Sequence, residues 1–205
     1  MTGRYSVRSG IYPMVFFPDH IGGLPSTERT LPALLKPSGY TSLLVGKWHL
    51  GGGLDNEYHP TKRGWDQYYG VPPPFDLCPT KTCFYPNVSC HDEGVPEFVS
   101  CPLYDGETII EQPVDFLTVT DRYTDRGISF IRENSRKSQP FLLFMSYHQT
   151  HHPQFAGKEF YGKSERGTFG DALMEMDNSI GLIMRALEKY KVIEDTLVWF
   201  TSDNG

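Results

Sequence analysis

Leu43-Leu44-Val45-Gly46-Lys47-Trp48-His49-Leu50-Gly51 decides how this chain is read. Its first three residues are a continuous apolar run, the pattern of a buried strand, and Gly46 ends it. A cation and an imidazole, Lys47 and His49, follow at once. In extended chain residues i and i+2 point to the same side, so the pair is expected to face one site. A fixed positive charge beside a titratable ring suits an anionic substrate. The ordinary alternative is a snorkelling lysine and a satisfied histidine at a strand end. What makes the pair informative is that the same layout recurs twice downstream.

Pro140-Phe141-Leu142-Leu143-Phe144-Met145 is a second apolar run, long enough for a strand buried on both faces, and it ends in His148-Gln149-Thr150-His151-His152-Pro153. Thr196-Leu197-Val198-Trp199-Phe200 is a third, ending in Ser202-Asp203-Asn204-Gly205. Helical patterns separate these runs. Ser26 to Lys36 predicts a short helix capped by Thr30, with Pro32 in its first turn and Pro37 and Gly39 stopping it. Tyr40 to Val45 is then the strand that leads into Lys47. Thr118 to Arg136 predicts a helix with Thr118 and Asp121 as a capping box and with Val119, Tyr123, Phe130 and Ile131 on one face. Thr168 to Tyr190 is the clearest helix. Its stripe of Phe169, Leu173, Met176, Ile180, Ile183 and Leu187 reads as core, while Glu175 and Asp177 lie off it and read as solvated.

Alternating helices and strands predict an α/β fold, a mainly parallel sheet with helices on both faces. Ligands bind such sheets beyond the C-terminal ends of the strands. Lys47, His49, His151, Asp203 and Asn204 are therefore expected to converge on one site. Asp203 and Asn204 offer oxygens suited to a hard cation such as Ca²⁺ or Mg²⁺, although Asp-Asn-Gly is also an ordinary turn. Two such oxygens do not complete a calcium shell. Lys47 suits an oxyanion, and His49 and His151 suit orienting a nucleophile or protonating a leaving group. His148 and His152 are secondary candidates, either solvated or satisfied in the core. No Gly-x-Ser-x-Gly elbow is present, and Gly51-Gly52-Gly53 lacks the ending of a phosphate-cradling loop.

A chain of 205 residues carrying a net charge of -6 fits one sizeable core and argues against nucleic-acid binding. No apolar run reaches membrane-spanning length, and Thr2 to Arg8 lacks the apolar core of a signal peptide. Phe75 to Phe116 shows no sustained period and reads as a surface excursion, spanning about 70–117, stapled by cysteines. Cys78, Cys83, Cys90 and Cys101 all fall in it and predict two disulfides in an oxidising compartment, with three pairings open. Zinc binding with His91 lacks the usual ligand spacing. Asn87-Val88-Ser89 is a glycosylation sequon, which fits a secretory route. A secretory chain without a signal peptide leads to the expectation that its true N-terminus lies before Met1.

The chain resembles the sulfatase family, and within it the arylsulfatases. The resemblance rests on Thr2-Gly3-Arg4, Gly22-Gly23-Leu24-Pro25, Gly39-Tyr40, Gly46-Lys47-Trp48-His49-Leu50-Gly51, Thr150-His151-His152-Pro153-Gln154-Phe155, Gly170-Asp171 with Asp177, and Phe200-Thr201-Ser202-Asp203-Asn204-Gly205. It implies an alkaline-phosphatase-like α/β fold and calcium-dependent hydrolysis of sulfate esters, with the hydrate of a formylglycine made from Cys as nucleophile. It implies that Lys47 binds sulfate, that His49 helps hold the formylglycine, and that His151 contacts sulfate and assists the leaving group. Asp203 and Asn204 would be two ligands of one Ca²⁺. The spacing of Cys78, Cys83 and Cys90 looks like that of an arylsulfatase, whose nested pattern implies Cys78–Cys101 outside Cys83–Cys90. Lysosomal or secreted location, and a sulfolipid or sulfated sugar as the sulfate ester, are also implied; homo-oligomerisation stays open.

The departures bear on activity. In the family Thr-Gly-Arg ends the signature Cys-x-Pro-Ser-Arg-x-x-x-x-Thr-Gly-Arg, so the nucleophile falls before residue 1 of this chain. The paired Asp ligands of the family's first strand and a second active-site Lys also fall outside residues 1–205. Pro74 stands where arylsulfatases carry a Ser. Residues 1–205 are thus expected to be an internal, incomplete piece of a sulfatase N-terminal catalytic domain, without turnover by itself. The alternatives are a phosphatase or phosphodiesterase of the same fold, and a non-catalytic sulfate- or glycan-binding relative.

Overall fold

The computed structural model describes residues 1–12, 15–17, 20–53, 55–73 and 101–202. The chain runs through α1 (Leu31–Leu35), β1 (Thr41–Gly46), β2 (Gln67–Gly70), β3 (Leu103–Asp105), β4 (Thr108–Glu111), α2 (Phe116–Asn134), β5 (Phe141–Ser146) and α3 (Gly167–Lys189). The strands form one sheet in the order β4-β3-β2-β1-β5. β1 is parallel to both neighbours, with Leu44 opposite Tyr68 and Phe144, and the β3–β4 hairpin adds antiparallel to β2. This is the mixed, mostly parallel sheet expected from helix–strand alternation.

β1 sits where both faces are covered. Leu43, Leu44 and Val45 are fully buried, which for side chains of this size is worth about 1.5–3 kcal/mol each. Alternation sends Leu43 and Val45 to one face, against Val119, Tyr123 and Phe130 of α2. α3 packs against α2, where Ile131 of α2 clusters with Ala186 and Leu187 of α3, and Ile183, Phe141 and Leu143 pack around them. The two helices approach closely at Gly127, where an added Cβ would stand 2.8 Å from Ile183 Cδ1. On the opposite face Leu44 packs with Trp48, Trp65 and Tyr68, so aromatic rings from the 47–68 segment form that cover.

Several elements differ from expectation. α1 is a single turn and starts at Leu31; the Thr30 hydroxyl donates to the Arg63 carbonyl at 2.6 Å instead of capping the helix. α2 starts earlier, because Asp115 accepts from the Leu117 N–H at 3.0 Å and is the cap in place of Thr118. Part of the irregular segment joins the sheet as β3 and β4, across a Gly106-Glu107 turn in which Gly106 takes φ +60°. β5 is an edge strand and only half-buried, since among the described residues only β1 pairs with it. Thr196 to Phe200 forms no strand; Leu197 and Trp199 are 86% and 81% exposed.

α3 turns a different side inward from the one its apolar stripe predicts. Phe169 and Leu173 are exposed, whereas Asp171, Glu175 and Ser179 are buried. Asp177 is exposed as expected, but the solvated reading of Glu175 is wrong: it is 3% exposed and accepts three hydrogen bonds. The reason is the 147–164 segment, which lies against α3 and brings buried donors that need acceptors. Cys101 is buried and disulfide-bonded. Cys78, Cys83, Cys90, Asn87, Pro74, His91, Asp203 and Asn204 lie outside the described residues.

Candidate active site

The C-terminal ends of β1, β2 and β5 meet at one edge of the sheet. The Lys47 N–H donates to the Ser146 carbonyl at 2.9 Å, continuing the ladder one residue past the Gly46–Ser146 pair. The His49 N–H donates to the Pro72 carbonyl at 2.9 Å, which ties it to the chain leaving β2. Gly46 is required at this junction. It adopts φ +106°, and a Cβ there would stand 1.9 Å from the Ser146 oxygen.

Extended geometry stops before His49, whose φ is +55°. A left-handed non-glycine residue of this kind costs on the order of 1–3 kcal/mol and is found where surrounding contacts hold it. One such contact is on the ring: His49 Nε2 lies 3.0 Å from the Phe16 carbonyl oxygen. A carbonyl only accepts, so Nε2 carries the proton. Trp48 turns into the aromatic cover and donates its indole N–H to the Tyr58 carbonyl at 2.9 Å. Lys47 and His49 stay half-buried at the edge.

Beyond β5 three histidines have three environments. His148 is buried, packs edge-on against Phe116, and places Nε2 3.1 Å from Tyr123 Oη. Burial first, then the charges of Lys47 and His151, hold its pKa down to about 3. It is a neutral core histidine at any ordinary pH. His151 is exposed; its N–H donates to the His148 carbonyl at 3.0 Å and its Nδ1 lies 2.6 Å from the His152 carbonyl. That contact puts a proton on Nδ1. His152 is exposed on the surface. The Lys47 N–H bond to the Ser146 carbonyl places the chain leaving β1 beside the start of the 147–152 segment, which carries His148 and His151.

Beneath this edge lies a polar seam that the sequence reading missed. Gln149 Nε2 donates to Glu175 Oε2 and to Thr120 Oγ1, each at 2.7 Å, and Thr120 Oγ1 donates to Glu175 Oε2 at 3.1 Å. The Gly157 N–H donates to Glu175 Oε1 at 2.8 Å. Burial raises the Glu175 pKa, and these donors oppose the rise. The signal was present as polar residues four apart: Thr120 and Thr124 on α2, and Asp171, Glu175 and Ser179 on α3. Among the described residues no group of three or more His, Cys, Asp or Glu is placed to hold a metal ion. They supply no calcium shell.

The family model described as Sulfatase matches residues 1–205. The chain belongs to the sulfatase family. It is 38% identical over 207 residues to arylsulfatase A of Homo sapiens, covering 100% of this chain and 41% of that protein. To N-acetylgalactosamine-6-sulfatase of Homo sapiens it is 37% identical over 217 residues, covering 100% of this chain and 39% of that protein. The chain therefore spans about two fifths of the length of these curated relatives. Among solved structures it is similar to the PsFucS1 sulfatase from Pseudoalteromonas sp., with a TM-score of 0.74 and 24% identity over 95% of this chain and 42% of that one. It is also similar to Ps i-CgsB in complex with k-i-k-neocarrahexaose, with a TM-score of 0.72 and 23% identity over 94% and 43% of the two chains. These likenesses show the alkaline-phosphatase-like fold of sulfatases.

Proposed function

We propose that this chain supplies the sulfate-holding edge of a site that hydrolyses sulfate esters. The observation that carries the reading is that Lys47 and the segment bearing His151 leave neighbouring parallel strands at the same edge of a sulfatase-family sheet. Lys47 is the fixed cation for the sulfate oxygens. His49, with its Nε2 proton engaged by the Phe16 carbonyl, is held to orient the nucleophile. His151 contacts the sulfate. With Nδ1–H committed to the His152 carbonyl, its Nε2 is the atom that gives up a proton to the leaving oxygen when the ring is charged.

A formylglycine before Thr2-Gly3-Arg4 would supply the attacking oxygen, and residues 1–205 alone would show no turnover. One Ca²⁺, with Asp203 and Asn204 among its ligands and the rest from outside this chain, would neutralise charge on the ester. We further propose nested disulfides, Cys78–Cys101 outside Cys83–Cys90, glycosylation at Asn87, and a secreted or lysosomal location. A sulfated sugar is the favoured substrate class over a sulfolipid, supported by the likeness to N-acetylgalactosamine-6-sulfatase.

The test is hydrolysis of an aryl sulfate by the protein at its full natural length, with calcium and with a chelator. Lys47→Ala should lower kcat/KM by about 10²–10³-fold, the scale of losing one preorganised charge contact. Near-normal activity in Lys47→Ala would remove its role, and no hydrolysis by the unmutated protein would remove the reading.

A further inference from the structure

We propose that Glu175, with Asp171 and Ser179 one turn to either side, is a positioning residue that sets the 147–164 segment in place and thereby orients His151. The three side chains lie at i, i+4 and i+8, so they form one stripe along α3. Each is buried, at 2–3% exposure. A buried carboxylate is costly unless donors compensate it. Here the donors come from the segment that carries His151 and from one hydroxyl of α2.

Asp171 accepts from the backbone N–H groups of Gly162, Lys163 and Ser164, at 2.7, 3.0 and 2.7 Å. Glu175 takes Gly157 on one oxygen and Gln149 with Thr120 on the other. Ser179 lies 2.8 Å from Tyr147 Oη and 2.5 Å from Thr124 Oγ1. Thr124 donates its hydroxyl proton to the Thr120 carbonyl, so Ser179 donates to Thr124 and Tyr147 donates to Ser179. The segment is thus pinned at Tyr147, Gln149, Gly157 and 162–164, on successive turns of one helix. His151 lies between the Gln149 and Gly157 anchors, both of which are held by the single carboxylate of Glu175.

The orientation of α3 points the same way. A helix turned to bury its apolar stripe would hide Phe169 and Leu173; this one leaves both exposed and turns its polar stripe inward. Donors of the segment, not apolar burial, set the rotation of its first half.

The consequence for turnover rests on the role proposed above for His151; the positioning itself does not. Glu175→Gln keeps the shape but replaces one acceptor oxygen with a donor facing the Gln149 amide. Hydrogen exchange on the full-length protein should show the amides of 149–157 opening about tenfold faster or more, with central β1 and α2 amides unchanged. Gln149→Ala, which removes a contact from the segment side, should speed the same amides to a smaller degree and carries the test if Glu175→Gln does not fold. In the aryl sulfate assay Glu175→Gln should lower kcat about tenfold or more, with KM within about twofold. Unchanged exchange of 149–157, or a uniform rise through β1 and α2, would overturn the positioning role. A loosened segment with unchanged kcat would overturn its link to His151. Loosening in a protein that hydrolyses no sulfate ester would leave the positioning standing and overturn the proposed role of His151 instead.

Discussion

Acid should destabilise this fold in a way traceable to His148. The ring has an ordinary pKa of 6.5 in unfolded chain and about 3 in the folded protein, where burial and the charges of Lys47 and His151 act on it. Between those values the unfolded chain binds a proton that the folded protein does not. Stability therefore falls as pH falls, by up to about 1.4 kcal/mol per pH unit. The loss from this one ring reaches about 2 kcal/mol at about pH 5 and levels off near the folded pKa. His59, lowered to about 4 chiefly by burial, acts in the same direction. Glu175 acts oppositely: its raised pKa lets the folded protein take up a proton first, so it adds stability as pH falls through the carboxylate range. The contribution of His148 is isolated with His148→Gln, which removes the titration and keeps a polar group for Tyr123 Oη. Urea unfolding at about pH 7 and about pH 5 should show a pH-dependent loss about 2 kcal/mol larger in the unmutated protein than in the variant. The variant's lower stability at neutral pH from poorer packing does not enter this difference. Equal pH-dependent losses in the two proteins would refute the argument that burial, not exposure, governs this ring.

Two further outcomes follow from local geometry and sulfur chemistry. Gly46→Ala should destabilise the protein by about 3 kcal/mol or more, read as a lower denaturation midpoint, because the residue sits at φ +106° with the Ser146 oxygen 1.9 Å from the new methyl. A change within about 0.5 kcal/mol, the range of neutral surface substitutions, would show that the strand ends are more loosely joined than the register implies. Mass spectrometry without reduction should find no free thiol among Cys78, Cys83, Cys90 and Cys101, and a 78–101 linkage on digestion. Four alkylated cysteines would defeat the disulfide reading.

What the sequence made legible was the placing of polar residues at strand ends. Leu43-Leu44-Val45 followed by Lys47 and His49 marked both the central strand and its polar edge, and the parallel pairing of β1 with β5 brought His148 and His151 to the same edge. The buried face of α2 was legible too, because Val119, Tyr123, Phe130 and Ile131 obey one period and meet apolar neighbours throughout, the sheet for the first three and α3 for Ile131. Periodicity failed where a helix has two kinds of neighbour. It assumes that the apolar side of α3 must turn inward, and so left Glu175 in solvent, when the donors of the 147–164 segment required acceptors there. It also failed for elements shorter than a period can register: β3 and β4 flank the two-residue Gly106-Glu107 turn, and Gly106 is the signal that could have marked them. For Thr196 to Phe200 an apolar run states a preference, but a strand needs a partner to take its hydrogen bonds, and among the described residues none lies beside it.

The histidines show most clearly where residue type stops being enough. His148, His151 and His152 fall within five positions and any of them could titrate, coordinate or fill space. In the fold one is a neutral ring under Phe116 and beside Tyr123, and two are exposed. The first cannot move protons near neutrality, because burial above all holds its pKa down to about 3. Removing it should therefore loosen the packing with Phe116 and Tyr123 rather than change an acid–base step. The candidate site is accordingly a rim of polar groups lying over a buried neutral ring, His148, and beside the hydrogen-bonded seam around Glu175.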